Sequence, residues 1–154
     1  MIRSAIVTRV IDTAALLAEV SDPACGALSL FAGTVRDVND GRAVTGIQYS
    51  AYKEMAEKEL QRIVAEASER FGAEAIAVEH RVGELALGDV SVAIAVAHPR
   101  RAQAMDCTRY VIEEIKKRLP VWKLEHYADG TREWVDPTRQ VAATAAAGQE
   151  AASR

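Results

Sequence analysis

The run Val90-Ser91-Val92-Ala93-Ile94-Ala95-Val96-Ala97 is apolar at every position but one. A strand of that kind has no face to turn to water, so it belongs in the middle of a sheet. The segment before it, AIAVEHRVG from Ala75 to Gly83, reads as a second strand. A connection from Gly83 to Asp89 joins the two. Helical periodicity flanks the pair on both sides. From about Ala51 to Phe71 one face carries Tyr52, Met55, Ala56, Leu60, Ile63, Val64, Ala67 and Phe71, with Lys and Glu opposite and Gly72 as the stop. From about Arg101 to Leu119 the stripe is Met105, Thr108, Ile112, Ile115 and Leu119.

The N-terminal third is strand-rich. Residues 2–10 (IRSAIVTRV) predict a first strand, and Asp12 is an N-cap for a short helix, TAALLAEV. A long strand, ALSLFAGTVR, follows Gly26, and the loop DVNDGR carries an Asp40-Gly41 turn signal. Val44–Tyr49 then returns, and the simplest reading pairs it with the preceding strand as a hairpin. The order predicts an α+β domain over residues 1–136: a mostly antiparallel sheet with two principal helices packed on it. Residues 137–154 have almost no large apolar side chain and read as a flexible tail.

Composition excludes several functions. A net charge of -3 gives no electrostatic case for nucleic acid or an anionic membrane. Cys25 and Cys107 are far apart, and His80, His98 and His126 lack metal-ligand spacing, so neither a metal site nor a disulfide framework is expected. No apolar run is long enough to span a bilayer and no signal-peptide core opens the chain, which makes a cytoplasmic protein the expectation.

The chemistry-bearing stretch is IKKRLPVWKLEHYADGTREWV, from Ile115 to Val135. Pro120 ends the helix at Leu119, and strand alternation beyond it puts Val121, Lys123 and Glu125 on one face, with Trp122, Leu124 and His126 on the other. Lys116 falls on the flank of the apolar stripe and reads as half-buried, whereas Lys117 faces solvent. A lysine held against apolar surface has a lowered pKa and serves as a nucleophile or a close anion partner. The plainer alternative is a snorkelling lysine that covers core edge. Two lysines converging beside a buried tryptophan strengthen the functional reading. Glu125 reads as an exposed partner of Lys123, worth roughly 0–1 kcal/mol. Arg36, at the end of a strand, and Arg100 and Arg101, at a helix N-terminus behind His98-Pro99, are further candidates for holding an anion.

Several fragments carry a resemblance in order and spacing: Phe31-Ala32-Gly33-Thr34-Val35-Arg36, Gly41 through Tyr52 and Met55-Ala56, and His80-Arg81-Val82-Gly83. Lys116, Pro120-Val121-Trp122-Lys123-Leu124-Glu125, Gly130 and Trp134-Val135 complete the set. Over about residues 3–136 the chain resembles the large, catalytic subunit of molybdopterin synthase, the MoaE family. The resemblance implies the α/β hammerhead fold of that family. It implies a homodimer that becomes a heterotetramer with two small ubiquitin-like sulfur-carrier subunits. The carrier's C-terminal thiocarboxylate would enter a pocket and deliver sulfur to cyclic pyranopterin monophosphate, two rounds building the dithiolene. No cofactor of its own is implied.

On that pattern Lys116 and Lys123 match the catalytic lysines. Thr34, Val35 and Arg36 match a substrate-binding segment, as do Leu124 and Glu125. The family's His-Arg pair, sixteen residues before the first lysine, corresponds here to Arg100 and Arg101. Either Arg100 takes the histidine's place at phosphate or the Pro99 loop returns His98 to it. Arginine binds phosphate but donates no proton near neutral pH. Arg139 is the counterpart of a basic residue near the family's C-terminus. The competing readings are a non-catalytic dimeric partner of a ubiquitin-like protein or pterin, and a stand-alone lysine enzyme working through a Schiff base.

Overall fold

A computed structural model of the protein describes residues 1–135. The chain runs β1 (Ile2–Val7), α1 (Thr13–Val20), β2 (Ala27–Thr34), β3 (Val38–Asn39), β4 (Arg42–Ala51), α2 (Lys53–Phe71), β5 (Ala75–Arg81), β6 (Gly83–Ala86), β7 (Val90–His98), α3 (Arg101–Arg118), β8 (Val121–Tyr127) and β9 (Arg132–Val135). The strands form two sheets. The first has the order β1-β5-β7-β2, with β1 and β5 parallel and the other pairs antiparallel. The second has the order β3-β4-β8-β9, and β6 also pairs with β4.

The all-apolar strand β7 is central in the first sheet, as its sequence requires, and its two faces differ in size. Ala93, Ala95 and Ala97, with Ala77 of β5, face α1, where Ile11, Leu16 and Val20 complete a small cluster. Val92, Ile94 and Val96, with Ile76 and Val78, face the main core under α2 and α3. The alanine face lets a short helix approach closely, and the branched face fills the wider gap under two long ones. Asp12 caps α1 by accepting from the Ala15 amide at 3.0 Å. Gly72 ends α2 in the left-handed conformation, at φ 63°. Arg118 clasps the end of α3 to α2 through Glu59 at 2.7 Å and Glu66 at 2.6 Å.

Several expectations are corrected. β2 does not form a hairpin with β4. It pairs with β7, while β4 pairs with β3, β6 and β8 in the other sheet. The Asp40-Gly41 turn is real, with φ of 49° and 77°, but it closes the short β3–β4 hairpin. The connection predicted after Gly83 contains strand β6, which is too short to show alternation. Strand β1 stops at Val7, and Arg9 beyond it reaches back to the buried Glu79 at 2.6 Å. Tyr52, Met55 and Met105 are exposed, because the buried face of α2 runs Ala56-Leu60-Ile63-Val64-Ala67 and that of α3 runs Ala104-Cys107-Thr108-Val111-Ile115. The predicted tail, residues 137–154, lies outside the described residues. Among those described, no helix is long and apolar enough to cross a membrane.

Ile63 is fully buried and Met55 is 58% exposed on the same helix. Ile63→Ala is expected to lower unfolding free energy by about 2–5 kcal/mol through the cavity it leaves. Met55→Ala should stay within about 0.5 kcal/mol. Urea denaturation checks both, read as midpoint shifts at an unchanged slope.

Candidate functional site

The two sheets meet where β2 runs out, and the seam holds a cavity of about 150 Å³. Gly33 begins its floor. A register shift between Gly33 and Thr34 bends β2 away from β7, and a Cβ at Gly33 would stand 2.9 Å from the Val92 side chain. Past the bend, Val35 exchanges backbone hydrogen bonds with Asp89 and Gly88 at 3.0 and 2.9 Å, which carries Arg36 out over the cavity. The last turn of α3 brings Lys116 to one wall, and β8 brings Lys123 and Glu125 to another. Pro120 makes this possible. It stops α3 at Arg118, with Leu119 as the C-cap, and turns the chain at once into β8. The alternation predicted for β8 holds: Lys123 and Glu125 share the cavity face, and Leu124 is buried away from it.

Glu125 is the surprise. It is not an exposed partner but fully buried, and its carboxylate is saturated by protein donors. Lys123 Nζ lies 3.0 Å from Oε1. Asn39 Nδ2 donates to both oxygens at 2.7 and 2.9 Å, and the Tyr127 hydroxyl donates to Oε2 at 2.7 Å. Burial alone pushes this carboxyl's pKa up. The bonds from Asn39, Tyr127 and Lys123 together outweigh it and hold the pKa below the ordinary glutamate value.

Lys116 is also corrected, in the opposite direction: by surface area it is exposed, like Lys117. The two differ in surroundings. Lys116 lies in a concave cavity whose walls displace water without closing over it, and this lost hydration is the largest cause lowering its pKa. The positive charges of Lys123 and then Arg36 lower it further. His80 sits behind Lys116, buried, edge-on to Tyr49 with ring centroids 5.4 Å apart. Burial first, and the charge of Lys116 second, bring its pKa down to about 4, so it is neutral at physiological pH.

Of the residues singled out from sequence, the fold brings Lys116, Lys123, Glu125, Arg36 and Thr34 to one cavity. Val35 is buried beneath it as backbone support. Trp122 is only partly buried, against Tyr52 at 5.0 Å, and Trp134 is exposed, so no buried tryptophan stands beside the lysines. Arg100 and Arg101 are exposed at the opposite end of α3, about 22 Å of helix away from Lys116. His98 does not return to the cavity. It is buried, with its Nε2 3.1 Å from the Phe71 carbonyl and its Nδ1 accepting from the Arg100 amide at 2.9 Å. Arg139 lies outside the described residues.

Sequence reasoning missed Asn39 and Tyr127. Asn39 reads only as turn chemistry, and nothing local points to a partner 86 residues on. Tyr127 had a usable signal: it follows Glu125 by two and so shares its strand face.

The geometry is that of a small cationic seam: three basic side chains and one internally satisfied carboxylate. It suits an anionic ligand. Among the described residues no group of His, Cys, Asp and Glu could hold a metal ion.

The chain is similar to known proteins in both sequence and fold. The MoaE protein family model matches residues 6–118. The molybdopterin synthase catalytic subunit of Halalkalibacterium halodurans is 42% identical over 133 residues, covering 86% of this chain and 85% of that protein. The crystal structure of molybdopterin synthase from Staphylococcus aureus superposes with a TM-score of 0.80 at 34% identity, covering 85% of this chain and 95% of that one. A complex of subunits 1 and 2 of the molybdopterin-converting factor from Helicobacter pylori shares the fold, with a TM-score of 0.70 at 22% identity, covering 86% of this chain and 89% of that one. Matched over most of its length in both sequence and fold, the chain belongs to the MoaE family, that of the molybdopterin synthase catalytic subunits.

Proposed function

We propose that this chain is the catalytic subunit of a molybdopterin synthase, using the seam cavity to pass sulfur from a carrier's C-terminal thiocarboxylate to cyclic pyranopterin monophosphate. The observation that carries this reading is the convergence of Lys116, Lys123 and Arg36 on one cavity against a single carboxylate that is already satisfied. Both reactants are anions, one a thiocarboxylate and the other a cyclic phosphate. A site with uncompensated positive charge attracts both and stabilises negative charge that develops as sulfur changes hands. The described cavity offers no cysteine, which fits sulfur that arrives on the partner.

Within this reading the residues divide the work. Lys123, fixed at 3.0 Å from Glu125, is a charge of set position. Lys116 makes no ion pair among the described residues, and its lowered pKa lets it supply a neutral amine more readily than an ordinary lysine. Arg36, exposed at the rim, is placed to meet the phosphate of an entering substrate. Arg100 and Arg101 take no part in the cavity of their own chain. The small ubiquitin-like carrier and a second copy of this chain are the proposed partners. The open edge of β2, with Leu28 and Leu30 exposed along it, is consistent with a further protein surface there.

The test is a conversion assay with purified protein, cyclic pyranopterin monophosphate and a thiocarboxylated carrier. Wild type should form molybdopterin only when the carrier bears the thiocarboxylate. Lys116→Ala and Lys123→Ala should each lower kcat about a hundredfold or more. Lys116→Ala should leave thermal stability nearly unchanged, because the side chain is exposed. Tight carrier binding with no product from wild type would leave a binding partner instead of an enzyme.

Arg36→Ala should act differently. Loss of a rim cation that meets the incoming phosphate is expected to raise KM for the pterin substrate about tenfold with a smaller effect on kcat. Steady-state kinetics at saturating carrier separates the two.

A further inference from the structure

We propose that Tyr127 is a positioning residue for Lys123, acting through the Glu125 carboxylate without touching substrate. The proposal rests on the sulfur-transfer reading above and adds to it a residue outside the cavity. Tyr127 is buried and does not border the cavity. Its hydroxyl donates to Glu125 Oε2 at 2.7 Å, and Lys123 Nζ lies on the other oxygen, Oε1, at 3.0 Å.

A carboxylate can rotate about its last bond, and its two oxygens are chemically alike. What fixes which way it points is the set of donors around it. Asn39 spans both oxygens and so cannot choose between them by itself. Tyr127 approaches only Oε2, which turns Oε1 toward Lys123.

The phenol is itself held by its sheet. The Arg42 guanidinium lies 3.5 Å over the ring centroid. Arg42 is anchored in turn to Thr131 at 2.8 Å and to Glu133 at 3.2 Å. The hydroxyl's place is therefore set by β4, β8 and β9, not by whatever enters the cavity. The polar groups gathered around the carboxylate are Lys123 and Tyr127 of its own strand, Asn39 of β3 and Tyr49 of β4. Arg42 and Glu133 act on the Tyr127 phenol, and Lys116 of α3 lines the same cavity as Lys123.

The experiment compares wild type with Tyr127→Phe in the conversion assay across pH. The variant keeps the ring and the Arg42 stack and loses only the donor. Expected are a kcat about fivefold lower, the scale of one lost hydrogen bond, and a KM within about twofold. The acid limb of the kcat profile should also move to higher pH. Its sign follows from the carboxylate: losing a donor that favours the charged form makes Glu125 take up a proton sooner as pH falls. A residue that only fills space would change thermal stability and leave that limb in place. A folded Tyr127→Phe enzyme with wild-type kcat and an unmoved limb overturns the proposal.

If Tyr127→Phe does not fold, Asn39→Ala removes the other neutral donor from a surface hairpin. The same upward movement supports the carboxylate's role, and an unmoved limb overturns it. If wild type forms no product, the sulfur-transfer reading fails. The positioning claim is then read from the Lys123 ammonium NMR signal, which shifts in Tyr127→Phe if Tyr127 orients the pair and stays in place if it does not.

Discussion

Repulsion among like charges is the constraint around which this molecule is arranged. Lys116, Lys123 and Arg36 share one cavity, and in a partly dehydrated space such like charges oppose one another. The fold answers this with one carboxylate. Glu125 is fully buried, yet it stays ionised because Asn39, Tyr127 and Lys123 satisfy it. One cation is thereby neutralised and immobilised. Lost hydration first, and then the charges of Lys123 and Arg36, lower the pKa of Lys116, and the site's excess of positive charge is available to an anion.

Everything that builds this seam lies elsewhere in the chain. The first sheet supplies a rigid platform, with alanines toward α1 and branched side chains toward α2 and α3. That platform fixes the ends of β2 and α3, the two places from which Arg36 and Lys116 project. Gly33 lets β2 bend without a side chain striking Val92. The second sheet carries Lys123 and Glu125 in register opposite Tyr49 and Ile47, and all four line the cavity. The β3–β4 hairpin closes over the carboxylate with Asn39, tied to the β8–β9 hairpin through Arg42.

Much of this was legible beforehand, for identifiable reasons. The apolar run of β7 and the helical periods of α2 and α3 are local signals, and each produced the element expected. The break at Pro120 and the alternation of Lys123 and Glu125 are local too, and they placed the cavity face correctly. Pairing was not legible. Short range favours a β2–β4 hairpin, but β2 pairs with β7 far along the chain and lays its Ser29 face on α3, where Thr108 donates to Ser29. Burial of charge was likewise invisible. Glu125 looks like a surface residue until Asn39 and Tyr127 arrive to satisfy it. Lys116 looks half-buried from its place on the helix, yet its pKa depends on the concavity around it and on two cations from other elements. His98 shows the same limit: its nitrogens are taken by Phe71 and Arg100, a use that no spacing rule reveals.

The electrostatics of the seam can be measured without substrate or carrier. The most direct measurement is an NMR titration of the Lys116 ammonium in wild type and in Lys123→Ala. The predicted result is a pKa below that of a free lysine in wild type, rising toward the ordinary value when the neighbouring charge is removed. A Lys116 that titrates as a free lysine and ignores the loss of Lys123 would contradict it, because the three cations would then not share one cavity.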